Sequence, residues 1–318
     1  MKKFVTLMLV ALMVFSVAAC TAETKKVDWP TKTVQLICPY GAGGDTDTYC
    51  RAMADLLSKH FGRTFIVVNQ TGGSGIVAAK NVMAARNDGY TILFNHTGAS
   101  LTQEATGVAD FSYTNDFANA CTVAQDNTYV FVCKAEKGWK NLDDLKAAAL
   151  AAPGKIRYSQ VYGSLTHYVC SQLEEMLGIE LDKIDVGTSA GERLAAALGD
   201  HVDVLAANYM NVTDYIENGA FNVLGICSLE PLPGLENQPT CASQGYPVVG
   251  SKNYEMKFPK STNPEIVKAL SNACKELTAS QGFADTLSKY YAQPFYRDSE
   301  TTNTEDLAQV EELKKYFK

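Results

Sequence analysis

Between Val34 and Asp47 the chain reads Val-Gln-Leu-Ile-Cys-Pro-Tyr-Gly-Ala-Gly-Gly-Asp-Thr-Asp, an apolar run that breaks into a glycine loop just before a segment of helical periodicity, Thr48 to His60. A buried strand, a loop without bulky side chains and a helix start aim unpaired backbone N–H groups at whatever sits above the loop, which favours an anion. The arrangement repeats at once: Phe65 to Asn69 is a short apolar strand, Gln70 to Gly75 is Gln-Thr-Gly-Gly-Ser-Gly, and Ile76 to Arg86 is helical. Two such loops from neighbouring strands are placed to share one ligand.

The alternation continues through strand Thr91 to Asn95, with Asn87-Asp88-Gly89 as the turn before it. Strand and helix in this order imply a parallel sheet covered by helices. A second unit follows: strand Val130 to Lys134, helix Leu142 to Ala152, strand Lys155 to Ser159, helices Leu165 to Leu177 and Glu192 to Leu198, then apolar strands near Val204 and Val223 to Ser228. After a proline-rich loop (Pro231, Pro233, Pro239), Pro264 to Ala279 and Glu305 to Tyr316 have helical periodicity but no unit of their own to pack on, so they are expected to return to the first. The expected division is residues 29–125 with 229–318 as one lobe and 126–228 as the other.

Lys2 and Lys3 precede an apolar run, Phe4 to Val17, that ends in Ala18-Ala19-Cys20. This is the charged, apolar, small-residue order of a secretory signal, and the run is too short for a spanning helix. Residues 1–19 are therefore expected to be removed and 20–28 to form a tether. Their removal leaves 26 basic against 35 acidic residues, moving the net charge from −7 to −9. That balance argues against nucleic acid or an anionic membrane surface as partner. Any anion must be held locally, by amides and hydroxyls.

Beyond Cys20 there are eight cysteines, several in apolar strands or helices such as Leu-Ile-Cys38-Pro and Phe-Val-Cys133, where a buried free thiol behaves as a small hydrophobe. Neither Cys-x-x-Cys nor His-x-x-x-His spacing occurs, so no metal site and no cofactor is expected.

The chain resembles the extracytoplasmic substrate-binding receptors of the tripartite tricarboxylate transporter family, the Bug receptors. The resemblance rests on Trp29-Pro30-Thr31-Lys32-Thr33-Val34 leading to Pro39-Tyr40-Gly41-Ala42-Gly43-Gly44-Asp45-Thr46-Asp47, on Val68-Asn69-Gln70-Thr71-Gly72-Gly73-Ser74-Gly75 and on Asn87-Asp88-Gly89-Tyr90-Thr91. Gly163-Ser164-Leu165-Thr166-His167 and Leu198-Gly199-Asp200-His201-Val202-Asp203 continue it. Val17-Ala18-Ala19-Cys20 is similar to a bacterial lipobox, which implies that Cys20 is lipidated and anchors the protein to the extracytoplasmic side of a membrane. Two departures stand out: Val161 replaces a usual glycine, and Asp185 to Ser189 lacks the usual Pro-Tyr-x-Gly.

The resemblance implies an α/β fold of the type II periplasmic-binding-protein class, a two-lobed clamp in which each lobe is a mainly parallel sheet flanked by helices. It implies a small carboxylate as ligand, large and small transporter membrane subunits as partners, and a monomer without enzymatic activity. One carboxylate is expected at Tyr40, Gly41, Ala42, Gly43, Gly44 and Asp47 with Asn69, Gly72, Gly73 and Ser74, and more weakly Thr97 and Ser100. The distal group is expected at Ser159, Gly163, Ser164 and His167, with Thr188, Ser189 and Asn208 nearby.

Rival readings fit the residues less well. Gly41-x-Gly43 begins a dinucleotide fingerprint, but Thr46 occupies the place of the third glycine and Asn69 that of the ribose-binding acid. Asp47 also suits the start of a helix, and His167 also suits packing or capping. His96 with Asp45 or Asp47 lacks a nucleophile elbow. A receptor feeding a signalling partner, an ABC-type binding protein and a carboxylate-directed enzyme remain the alternatives.

Overall fold

The computed structural model describes residues 27–317. The expected signal segment, Cys20 and most of the tether lie outside the described residues. None of the described helices is long and apolar enough to cross a membrane.

The first unit is built on a six-stranded sheet whose strands lie in the order β11 (Gln293–Arg297), β4 (Phe117–Asp126), β10 (Lys252–Pro259), β3 (Thr91–His96), β1 (Val34–Cys38), β2 (Phe65–Asn69). Strands β1 (Val34–Cys38), β2 (Phe65–Asn69) and β3 (Thr91–His96) pair in parallel, joined by helices α1 (Asp45–Phe61) and α2 (Ile76–Met83), while α3 (Thr97–Thr106) follows β3 directly. Successive side chains of a strand point to opposite faces, and β1 uses both. Val34, Leu36 and Cys38 join Tyr49, Met53 and Leu57 of α1 on one side. Ile37 joins Ala78, Ala79 and Val82 of α2 on the other.

The second unit has a three-stranded sheet of order β8-β5-β9: β5 (Tyr129–Lys134), β8 (Leu205–Asn208) and β9 (Phe221–Ile226). A parallel pair, β6 (Arg157–Ser159) and β7 (Asp182–Ile184), joins it through a bridge from Tyr158 to Val204. Strand β5 again divides two cores. Tyr129, Phe131 and Cys133 pack with helices α4 (Leu142–Ala151) and α5 (Leu165–Leu177). Val130 and Val132 pack against helix α6 (Ala190–Leu198) and the residues before the short helix α7 (Thr213–Glu217).

The expectation of mainly parallel sheets describes β1 to β3 and β6 with β7. Elsewhere the pairing is antiparallel, because the chain passes between units on these strands. Strand β4 (Phe117–Asp126) leaves the first unit and β10 (Lys252–Pro259) re-enters it, so the two run in opposite directions. In the second unit β8 and β9 both oppose β5.

The C-terminal elements return to the first unit: α8 (Pro264–Thr278), α9 (Gln281–Ser288), β11 (Gln293–Arg297) and α10 (Ser299–Tyr316). Ile266, Leu270 and Cys274 of α8 and Phe283 and Leu287 of α9 share the core of β1 and α1. Packing shifts one expected boundary, since Leu235, Cys241 and Val248 sit in the second unit's cores although they follow residue 229. All eight described cysteines are buried and free.

Helix α10 is tied to the sheet by buried charges. Lys257, wholly buried on β10, lies 2.9 Å from Glu255, 3.1 Å from Asp306 of α10 and 2.7 Å from the Asn119 side-chain oxygen. Burial and the neighbouring Asp306 raise the Glu255 carboxyl well above its usual range, because two buried carboxyls share the one Lys257 cation. Removing the cation strands Asp306 in the core, whereas removing Asp306 lets Glu255 ionise and take its place. Lys257→Met is therefore expected to cost about 3–5 kcal/mol and Asp306→Asn clearly less. Urea denaturation measures both, and equal losses would refute this division of charge.

Candidate functional site

The carboxyl ends of β1, β2 and β3 open onto a cavity of about 440 Å³ between the two units. This is where open α/β sheets place ligands, and the size is at the small end for ligand pockets. The first unit contributes Tyr40 to Thr46, Ser74 and His96; the second contributes Tyr129, Ser164, Thr188, Ser189, Arg193 and Asn208; Lys252 lies between them.

Helix α1 begins three residues earlier than its periodicity predicts, because Asp45, Thr46 and Asp47 already form its first turn. Gly44 at its N-cap supplies no side-chain acceptor, so the amides of that turn keep free hydrogens facing the cavity. The Thr46 hydroxyl is buried there without a partner. Opposite it, the Tyr40 ring stacks on His96 with centroids 5.0 Å apart. Burial, reinforced by the Lys252 cation, pushes the His96 imidazole down to about 3, so it is neutral, and its Nδ1 is unpartnered.

Of the residues expected to form the site, Tyr40, Gly41, Ala42, Gly43, Gly44, Ser74, Ser164, Thr188, Ser189 and Asn208 line the cavity. The others do not, and their contacts say why. Asp47 turns its carboxylate behind the loop, accepting from the Gly43 amide at 3.0 Å and from Arg51 at 2.9 Å. Asn69 donates to the Tyr40 carbonyl and to Asp47, both at 2.8 Å. These two side chains shape the glycine loop from the rear.

Gly72 and Gly73 take positive φ values of 131° and 55° and make the turn that presents Ser74. Thr97 accepts from the Asn253 amide at 3.0 Å, and Ser100 donates to the His96 carbonyl at 3.1 Å. Ser159 is wholly buried on β6, its hydroxyl unpartnered. Gly163 gives its amide to His167 Nδ1 at 3.3 Å, and the His167 ring packs between Tyr162 and Phe317. His167 is thus a cap and a packing surface at the rim.

Residues that sequence patterns did not reveal complete the site: Asp45, Thr46, His96, Tyr129, Arg193 and Lys252. Lys252 is central. Its side chain is 4% exposed, and its ammonium lies 2.5 Å from Asp45 of α1 and 2.5 Å from the Asn208 side-chain oxygen. Asn208 donates in turn to Asp126, which also accepts from the Thr128 amide at 2.8 Å and from Tyr49 at 3.3 Å. Burial opposes ionisation of Asp45, but Lys252, with further help from Tyr254, holds its carboxyl well below the usual range. Asp45 and Lys252 therefore cancel, and Asp45 accepts from the Tyr254 hydroxyl rather than from His96. No carboxylate–imidazole pair of the hydrolytic kind forms here.

The His96 environment predicts acid sensitivity. Its ordinary value is about 6.5, so between that and its folded value of about 3 the unfolded chain binds the extra proton, and stability falls as pH drops below about 6.5. The limiting slope is about 1.4 kcal/mol per pH unit from this group. Asp45, with its depressed carboxyl, adds a loss only below about pH 4. Urea denaturation between pH 4.5 and 7 is expected to show a slope that His96→Gln flattens; an unchanged slope would exclude His96 as its source.

The family described as "Tripartite tricarboxylate transporter family receptor" matches residues 49–316. The chain is 27% identical over 292 residues to the "UPF0065 protein in gbd 5'region" of Cupriavidus necator, covering 89% of this chain and 86% of that one. It is 26% identical over 294 residues to protein BugT of Bordetella pertussis, covering 91% and 90%. Among solved structures, MatC of Rhodopseudomonas palustris with bound malate is similar with a TM-score of 0.83 at 19% identity, covering 91% of this chain and all of that one (100%). A second R. palustris protein, with adipate, has a TM-score of 0.82 at 24% identity, covering 91% and 98%. These structures share the fold, a mixed α/β clamp of two units around a cleft. With the family match running from within the first helix to the last, the chain belongs to the tripartite tricarboxylate transporter receptor family.

Proposed function

We propose that this receptor captures a small carboxylate in the cleft between its two units and presents it to the large and small membrane subunits of a tripartite tricarboxylate transporter. The observation that carries the reading is the first turn of α1. There, free backbone amides and the unpartnered Thr46 hydroxyl face a cavity whose one acidic lining residue among those described, Asp45, is already neutralised by Lys252. A dehydrated carboxylate needs several donors to replace its water, and glycine amides supply them without bulk. The malate and adipate bound in structures of the same fold support this class of ligand.

In this reading the proximal carboxylate sits on the free amides that open α1, beside Gly41 to Gly44 and Ser74, while the Gly43 amide stays bound to Asp47; Ser164, Thr188, Ser189 and Asn208 face the distal group. Asp47, Asn69, Gly72 and Gly73 act by shaping the two loops. The ligand bridges both units, and its differential affinity for the closed form draws them together about the strands near Asp126 and Lys252. A micromolar ligand has about 8 kcal/mol available for binding and closure together. The mature chain begins at a lipidated Cys20, works as an extracytoplasmic monomer on a tether, and releases its ligand unchanged.

Two measurements test this. In a thermal-shift panel of di- and tricarboxylates, amino acids and aromatic acids, at least one carboxylate is expected to raise the melting temperature by several degrees at about 100 times its Kd; no shift with any carboxylate would refute the reading. Gly41→Val is the cleaner loop variant. Gly43 has φ +84°, where valine strains the backbone, whereas a side chain at Gly41 meets nothing within 4 Å but the cavity. It is expected to weaken binding about 100-fold or more, the scale of losing two charge-assisted hydrogen bonds, with the unliganded melting temperature little changed. Cys20→Ala is expected to move the protein from the membrane to the soluble fraction; unchanged fractionation would remove the lipid anchor.

A further inference from the structure

The distal wall of the cavity holds a cation with no anion assigned to it. Arg193 lies in the first turn of α6 on the second unit and lines the cavity. One edge of its guanidinium is fixed, since Nη1 donates to the Thr188 carbonyl at 2.9 Å. Its Nε is buried and has no partner. None of the ion pairs among the described residues includes it. The adjacent acid, Glu192, is committed to the cap of its own helix, accepting from the Ser189 amide at 2.9 Å and the Ser189 hydroxyl at 2.8 Å.

The charges around the cavity do not cancel. Asp45 is paired with Lys252, Asp47 is paired with Arg51 behind the glycine loop, and His96 is neutral. Of the charged side chains that line the cavity, Arg193 alone has no ion-pair partner, and it faces the first unit within reach of the Tyr129 hydroxyl. A half-buried guanidinium with an unpartnered Nε is unfavourable on its own, and a carboxylate meeting that edge corrects it with charge-assisted bonds.

We infer that Arg193 pairs with a second anionic group of the ligand, so that the cleft selects small dianions over monocarboxylates and over α-amino acids, whose ammonium group would meet a like charge. This rests on the carboxylate-receptor reading above and adds to it the chemistry of the far wall. The cleft then has two anion-binding devices of different kinds. The first unit offers uncharged amides and a hydroxyl; the second offers a fixed cation. A dianion spanning them engages both units, whereas a monoanion engages one. The loop from Asp185 to Ser189 supplies the Thr188 carbonyl that orients the guanidinium.

Calorimetry on the mature chain tests this with α,ω-diacids of three to six carbons, each paired with its own monoamide, and with aspartate. The best-binding diacid is expected to bind about 100-fold more tightly than its monoamide, and aspartate more weakly than succinate. Arg193→Gln is expected to remove most of that preference, lowering diacid affinity about 100-fold while leaving the monoamide within about threefold; Arg193→Lys should fall between. Unliganded melting curves confirm that the variants fold. A preference that survives Arg193→Gln, an equal loss for both ligands, or a wild type that favours monoamides overturns the inference while leaving the carboxylate reading intact. If no carboxylate binds the wild type, the receptor reading falls and this inference with it.

Discussion

The buried ammonium group of Lys252 fixes how the parts of this molecule meet. Taking such a charge into the interior is costly unless it is paired and its hydrogens are all accepted. Asp45 at the start of α1 and Asn208 at the end of β8 both accept from it, and Asn208 reaches on to Asp126 where β4 leaves the first unit. Lys252 and these three partners come from four separate stretches of chain, two of them the strands that pass between the units. The network therefore sets the position of the glycine loop, through α1, and of the second unit, through Asn208, relative to one fixed charge.

Around that point the site is assembled in two layers. Asp47, Asn69 and Arg51 grip the Tyr40 to Gly44 loop from behind, so its amides stay in place without any side chain entering the cavity. Preorganised donors of this kind need no rearrangement when an anion arrives. In front of the loop, Thr46, His96 and Arg193 keep polar atoms without partners, a state that is unfavourable in a closed core and serves in a cleft.

What the sequence disclosed follows from the range of the forces involved. The strand, glycine loop and helix at Val34 to Phe61 were legible because apolar periodicity and glycine act over a few residues, and Leu165 to Leu177 was read to its exact ends. Strand β10 escaped notice because Lys252, Glu255 and Lys257 make it look like a surface segment, whereas it is buried between β3 and β4 with its lysines met by acids on helices α1 and α10. Lys252 escaped because its partners lie far off in the chain, and Arg193 because its one hydrogen bond goes to a nearby main-chain carbonyl; no local spacing announces either. Asp47, Asn69 and His167 were found by motif but face away from the cavity, since a motif records that a residue is needed at a loop without recording whether it serves the ligand or the loop.

Gly163 offers a last consequence. It sits at φ +69° on the rim of the cleft, where a β-carbon would come within 3.0 Å of Val108 and 3.1 Å of Thr106 on the other unit, and nearby Gly98 faces Leu165 in the same manner. At these two points the units meet with main chain lying directly on side chains, with no methyl group to wedge them apart. A seam that thin fixes how near the units can come: one added methyl group at either glycine is expected to hold them apart by a few tenths of an ångström or more, at points that line no part of the cavity.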